Sequence, residues 1–229
     1  MHSPNSTNGP TSPNSTAGSA VVELLLADGR FPGGSFVHSG GLEAAIGAGT
    51  VPDGEALRTF VLGRLHHGGP FEAWLAARAC ERANDPVGLA RLEAEAEAAQ
   101  PSPALRAAAR AQGRGLRRAA AVIWPALHDL GCEVHPVVLG AVGAAAGLGP
   151  GATARLALYG SAMTIAGAAV KLAAFDMADA LAVVAALAPD LDALAAAAAA
   201  APEPVVRSAP LMELRADRHR AWEVRLFAS

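Results

Sequence analysis

The side chains able to do chemistry in this sequence fall in a few places. His38 stands in GRFPGGSFVHSGGLEAA with Ser35, Ser39 and Glu43 close by, an arrangement that would suit a nucleophile and its base. No Gly-x-Ser-x-Gly elbow, phosphate-binding loop or paired-carboxylate pattern accompanies it, so no catalytic motif supports that reading. His66 and His67 are adjacent, and adjacent residues on a helix point about 100° apart, which keeps them from converging on one ion. Cys132-x-x-His135 has the spacing of two metal ligands, but a zinc site needs three or four and no second cluster follows. A metal-dependent helical enzyme drawing on His38, His66, His67 and His135 is therefore the rival to a protein that works through its surface.

Charge points toward the surface reading. Lys171 is the sole lysine among 18 Lys and Arg residues, and no other charge occurs between Leu156 and Phe175. It shares a helical face with Ser161, Thr164 and Ala168, which predicts a mostly buried ammonium that needs a counter-charge. The structural candidates are Asp176 and Asp179; the functional one is another protein. Arg155 and Tyr159, the sole tyrosine, raise the same question at i and i+4 earlier on that helix. Arg106, Arg110, Arg114 and Arg117 form a stripe that reads as a solvated basic face or, in a third reading, as a nucleic-acid contact.

These residues need helices to hold them. The 229-residue chain is 52% hydrophobic but only 4% aromatic, so its apolar content is mainly Ala, Leu and Val, and the expected class is an all-α, single-domain helical bundle. A net charge of −3 gives no general field for nucleic acid or anionic lipid. Cys80 and Cys132 are far apart without a secretory leader, which suits a reducing cytoplasm. The uncharged run between Glu133 and Arg155 is long enough to span a bilayer, but its prolines, glycines and small side chains favour a soluble protein.

Residues 1–19, rich in Ser, Asn, Thr, Pro and Gly, predict a disordered tail; the domain is expected over 20–229. Leu57, Phe60, Val61 and Leu65 recur at i, i+3, i+4 and i+8, with Asp53 as N-cap and Gly68-Gly69-Pro70 as a stop through a left-handed glycine cap. Further helices are expected near 71–84, 87–99, 104–123, from Pro136, 152–172 and 176–199, the last bending or breaking at Pro189. Residues 201–210 read as a linker to a C-terminal segment, 211–229, which carries Arg215, Arg218, Arg220 and Arg225 with Trp222, Leu226 and Phe227. Such a segment either docks on its own core or anchors a partner. The glycine-rich turn before Leu42 reads as a structural corner, with Glu43 suited to the positive end of the next helix.

Four segments together resemble the urease accessory protein F (UreF) family: LLLADGRFPGGSFVHSGGLEAAI, RAQGRGLRRAA, EVHPVVLGAVGAAAGLGPGATARLALYGSAMTIAGAAVKL and RADRHRAWEVRLF. Pro32, Gly34, Phe36, His38, Ser39, Gly41, Leu42 and Glu43 match the family's N-terminal frame. Gln112, Gly113 and Arg114 match the second block; His135, Pro136, Val137, Ala169, Val170 and Lys171 match the third; Arg218, His219, Arg225, Leu226 and Phe227 match the tail. Asp176-Met177 and Trp222-Glu223 depart from the usual pattern. The resemblance implies a cytoplasmic, non-enzymatic helical scaffold, without cofactor or metal ligands of its own, that forms a homodimer. It implies binding to a UreD/UreH-type accessory protein and recruitment of the GTPase UreG to apo-urease for nickel insertion, without nucleic acid or membrane. The tail is then expected to be ordered by partner contact. The positions implied to meet partners are His38, Glu43, Arg155, Tyr159, Lys171, Arg218, His219, Arg225, Leu226 and Phe227.

Overall fold

The computed structural model describes residues 20–31, 38–172, 174–204, 206 and 226–227. The expected N-terminal tail and positions 211–225 lie outside these residues. Among the described residues the chain is all-α, with helices α1 (Ala20–Ala27), α2 (Leu42–Gly47), α3 (Gly54–His67), α4 (Gly69–Glu81), α5 (Pro86–Ala98), α6 (Pro103–Ala121), α7 (His135–Ala145), α8 (Pro150–Lys171), α9 (Met177–Ala186) and α10 (Ala188–Ala200). A 3-10 turn, Pro125–Asp129, joins α6 to α7.

Local chemistry sets the starts. Asp53, Asp85, Ser102 and Asp176 each accept a hydrogen bond from a first-turn backbone N–H of the helix they precede, which satisfies donors the helix itself leaves unpaired. Leu57, Val61 and Leu65 are the buried stripe of α3. The stop at Gly68-Gly69-Pro70 works differently from the expectation. Gly68 is right-handed, with φ −81° and ψ −30°, and α4 begins at once with Pro70 in its first turn, where a missing N–H costs nothing. The 176–199 helix divides at Leu187, with Pro189 in the first turn of α10, and its halves meet at 49°.

α4 is the centre of the packing, with α3, α5, α7, α8 and α10 around it. Its Ala73, Ala76, Ala77 and Ala79 are fully buried; such short side chains let neighbouring helices approach closely. One such close approach is at Gly140 of α7, where a Cβ would lie 2.5 Å from the Ala76 carbonyl oxygen and 2.8 Å from the Cys80 nitrogen. Among the described residues no single helix is long and apolar enough to cross a membrane, although the bent α9–α10 pair passes by length and composition. The uncharged run before Arg155 is instead split between α7 and α8.

Candidate partner surface

The Gly-rich corner is built by Gly40 and Gly41, both left-handed with φ 61° and 88°, a region costly for residues with a Cβ. Gly40 sits against Ile165 of α8. This places His38 and Glu43, 5% and 8% exposed, inside the fold. Buried carboxylates need donors, and Glu43 finds two from the far end of the chain. Its Oε1 accepts from the Leu226 backbone N–H at 2.8 Å and its Oε2 from that of Phe227 at 3.1 Å. The Phe227 ring is buried, Leu226 is exposed, and Lys171 Nζ lies 5.6 Å from the Phe227 ring centroid, within cation–π range. Glu43, Lys171, Leu226 and Phe227 thus meet in one place.

Lys171 is exposed rather than mostly buried, because α8 ends there and its last turn opens toward solvent, where a cation also complements the helix dipole. Asp176 accepts from the Ala178 backbone N–H at 2.7 Å as the cap of α9. Arg155 belongs elsewhere: about 24 Å of helix axis separates it from Lys171. Its guanidinium donates to Asp192 of α10 at 2.9 Å and to Glu23 of α1 at 3.0 Å, and both bonds raise its pKa. Tyr159, one turn on, is half-buried against the core. Arg218, His219 and Arg225 lie outside the described residues, as does Ser35.

Of the four histidines the enzyme reading draws on, His38 and His135 lie near enough to act on one another, but among the described residues no metal-holding group forms. His67 Nδ1 is 2.7 Å from the Gly63 carbonyl oxygen of its own helix. Burial first and His135 second depress the His38 pKa to about 4, so the ring is neutral at pH 7. Burial also depresses His135, with Glu72 pulling the other way. Burial pushes the Cys132 thiol up to about 12, which disfavours the thiolate a metal would need. Among the described residues no group of three or more His, Cys, Asp or Glu could hold a metal ion. An open hollow of about 480 Å³ beside α3 is lined by Thr50, Asp53 and Phe60 among others. Its Thr50 hydroxyl and Asp53 carboxylate already bond Ala45 and Ala56.

The arginine stripe of α6 is spent within the chain. Arg106 donates to the Gln100 and Pro101 carbonyls, Arg110 pairs with Glu97, Arg114 with Glu133 at 2.9 Å, and Arg117 donates to the Leu130 carbonyl at 2.6 Å. The stripe fastens α5 and the α6–α7 connection rather than presenting a free basic face. Sequence reasoning missed Glu93, whose Oε1 accepts from the Glu133 and Val134 backbone N–H groups at 2.6 and 2.8 Å and so orients the start of α7. It also missed Glu23 and Asp192, the partners of Arg155. Gly113, singled out within Gln-Gly-Arg, has a physical reason, since a Cβ there would collide with the Glu133 carbonyl.

A family model described as UreF matches residues 51–188. The chain is 44% identical over 210 residues to the urease accessory protein UreF of Mycobacterium sp. (strain JLS), covering 90% of this chain and 97% of that protein. It is 42% identical over 215 residues to the UreF of Mycolicibacterium vanbaalenii, covering 92% and 99%. Against the UreF of Mycobacterium marinum it is 40% identical over 213 residues, covering 90% and 97%. With its all-helical architecture and likeness to these relatives over nearly their whole length, the chain belongs to the UreF family of urease accessory proteins.

Proposed function

We propose that this chain is a homodimeric scaffold for urease maturation, joining a UreD/UreH-type accessory protein and the GTPase UreG to apo-urease so that nickel is inserted. Nickel is cargo of the assembly in this reading. The observation that carries it is the place where Glu43, Lys171, Leu226 and Phe227 meet, on a chain whose family consists of urease accessory proteins. Three segments far apart in sequence, around Glu43, Lys171 and Leu226–Phe227, converge there on one patch. That patch offers an exposed ammonium and an exposed Leu226 above a buried anchor, the mixture of charge and apolar surface that partner contacts use.

Arg155 supports a second contact region on the same reading. It is exposed and held in one orientation by Glu23 and Asp192, so a partner would meet a preorganised ion-pair cluster of fixed shape. The metal-enzyme alternative is set aside by family membership, since a urease accessory protein is not itself an enzyme.

Co-expression of the urease structural and accessory proteins with and without this chain tests the proposal. Purified urease should carry nickel and hydrolyse urea only when the chain is present. Equal nickel content in its absence would refute the scaffold role.

A further inference from the structure

At the bend between α6 and α7 the chain leaves apolar side chains outside. Val122 is 82% exposed, more than any other large apolar side chain among the described residues, and Ile123 beside it is 47% exposed. The local sequence explains why. α6 ends at Ala121, Pro125 disfavours a helical conformation at the residue before it, and Trp124 takes φ −120° and ψ 86°. Leu127 and, in part, Trp124 then take the places against the core, which leaves Val122 and Ile123 in water. The bend is also held in shape. The Ile123 and Trp124 N–H groups both donate to the Ala120 carbonyl, at 2.9 and 2.8 Å, and Arg117 donates to the Leu130 carbonyl at 2.6 Å. A surface already fixed in shape costs little ordering entropy when a partner covers it.

Charge says what kind of partner fits. α6 carries five arginines, and Arg106, Arg110, Arg114 and Arg117 have acceptors within the chain. Arg118, exposed and one turn before Val122, has none among the described residues. Residues four apart share a helical face. Arg117 bonds a carbonyl rather than a carboxylate, and Asp129 on the bend pairs with neither arginine among the described residues. Trp124 adds a directional donor: its indole N–H has no acceptor among the described residues, whereas that of Trp74 reaches the Ala201 carbonyl at 3.1 Å. We propose that this bend docks an acidic, apolar segment of a protein partner. Apolar side chains of that segment cover Val122 and Ile123, a carboxylate pairs with Arg118, and an oxygen accepts from Trp124.

The chain's own ends do not fit this surface. Residues 211–225 bring Arg215, Arg218, Arg220 and Arg225, of the same sign as Arg117 and Arg118, and residues 1–19 contain no acid. A lipid surface calls for several cations presented together, whereas Arg106, Arg110 and Arg114 are turned to acceptors of their own chain. α6 packs on α7, and α7 packs on α4 and α8, so the bend is a contact region separate from the patch at Lys171. That the occupant is one of the urease-maturation proteins rests on the scaffold reading above. The two can fail separately. If nickel content depends on the chain but the bend can be altered freely, the bend falls alone; if nickel content does not depend on the chain, a measured loss of binding at the bend still stands.

The experiment titrates the full-length chain with purified UreD/UreH-type protein, UreG and apo-urease, alone and in combination. The variants are Val122→Asp and Arg118→Glu, both at exposed positions where the fold should tolerate them. Each should melt as the wild type does and lose affinity for the same probe by about tenfold or more. Raising the salt should weaken the wild type more than Arg118→Glu, because the variant has lost the attractive charge. Wild-type affinity of both variants for every probe would overturn the proposal, and a loss in Val122→Asp that Arg118→Glu does not share would overturn its acidic partner. Two parallel measurements cover other occupants: sedimentation of the chain alone, and its binding to vesicles of phosphatidylglycerol and phosphatidylcholine. A loss confined to self-association gives the bend to a second copy, and a loss confined to vesicle binding gives it to lipid; either result overturns the proposal.

Discussion

Glu43 and Phe227 stand 184 positions apart in the chain and meet in a hydrogen bond of 3.1 Å, carboxylate to backbone N–H, with the Phe227 ring buried beside it. Two charge-assisted bonds and one buried aromatic ring together outweigh the entropy of ordering a chain end. The ring supplies the apolar share. Phe227→Ala should therefore lower the unfolding free energy by about 1–3 kcal/mol, less than a core Phe truncation because the tail can simply leave. Urea denaturation of the full-length variant measures it, and an unchanged midpoint would show that the ring contributes no stability there.

Lys171 and Arg155 separate the functional from the structural use of a charge. Each is exposed, and exposed ion pairs contribute roughly 0–1 kcal/mol, so Lys171→Ala and Arg155→Ala should keep wild-type helical content and melt within a few degrees of it. Nickel content of co-expressed urease should nonetheless fall with each variant. Deletion of residues 211–229 should abolish co-purification with the UreD/UreH-type protein. Variants that melt normally and deliver nickel normally would remove both positions from the partner surface.

Gly140 and Gly160 give a matched pair on neighbouring helices. A methyl group on Gly140 would press on the Ala76 carbonyl at 2.5 Å and on the Cys80 nitrogen, both backbone atoms that cannot rotate aside, whereas Gly160 has nothing within 4 Å. Gly140→Ala should destabilise the fold by roughly 2–3 kcal/mol or more through overpacking. Gly160→Ala should stabilise it by about 0.5–1 kcal/mol, since an exposed helical glycine gains helix propensity. Chemical denaturation of the two variants side by side reads the sign directly.

What could be read from the sequence was what local chemistry decides. Asp53 capping α3, the break near Pro189 and the all-α class follow from contacts within one or two turns, and the structure has them. Gly68 shows where that logic stops: the same Gly-Gly-Pro signal serves a left-handed stop or a direct start of the next helix, and packing of α4 chose the second. Lys171 was expected to be buried because its helical neighbours are uncharged, but the charge-free stretch reflects the buried face of α8, not the turn where the helix ends. The arginine stripe looked free because Glu97, Glu133 and the Leu130 carbonyl come from other segments. Glu93 of α5, bound to the Glu133 and Val134 N–H groups, and Glu43 of α2, bound to those of Leu226 and Phe227, make long-range carboxylate-to-backbone bonds, and a backbone N–H leaves no mark in sequence.

His38 makes the whole fold acid-sensitive with a defined sign. Its folded pKa, about 4, lies below the ordinary 6.5, so the unfolded chain binds the extra proton and stability must fall as pH falls. The contribution of the neutral ring is complete above about pH 6.5, declines through the interval and is gone below about pH 4. Between pH 7.5 and pH 5 the expected loss from this residue is about 2 kcal/mol, or less where the corner opens before the rest of the fold. Carboxylates titrate in the same range, so the comparison has to be made against His38→Phe, which retains a buried ring without the proton site. Urea unfolding of both proteins at pH 7.5, 6 and 5 should give curves that separate as the pH drops, the variant losing less. Parallel curves would mean that His38 is protonated as readily in the folded chain as in the unfolded one, and that its burial does not govern its charge.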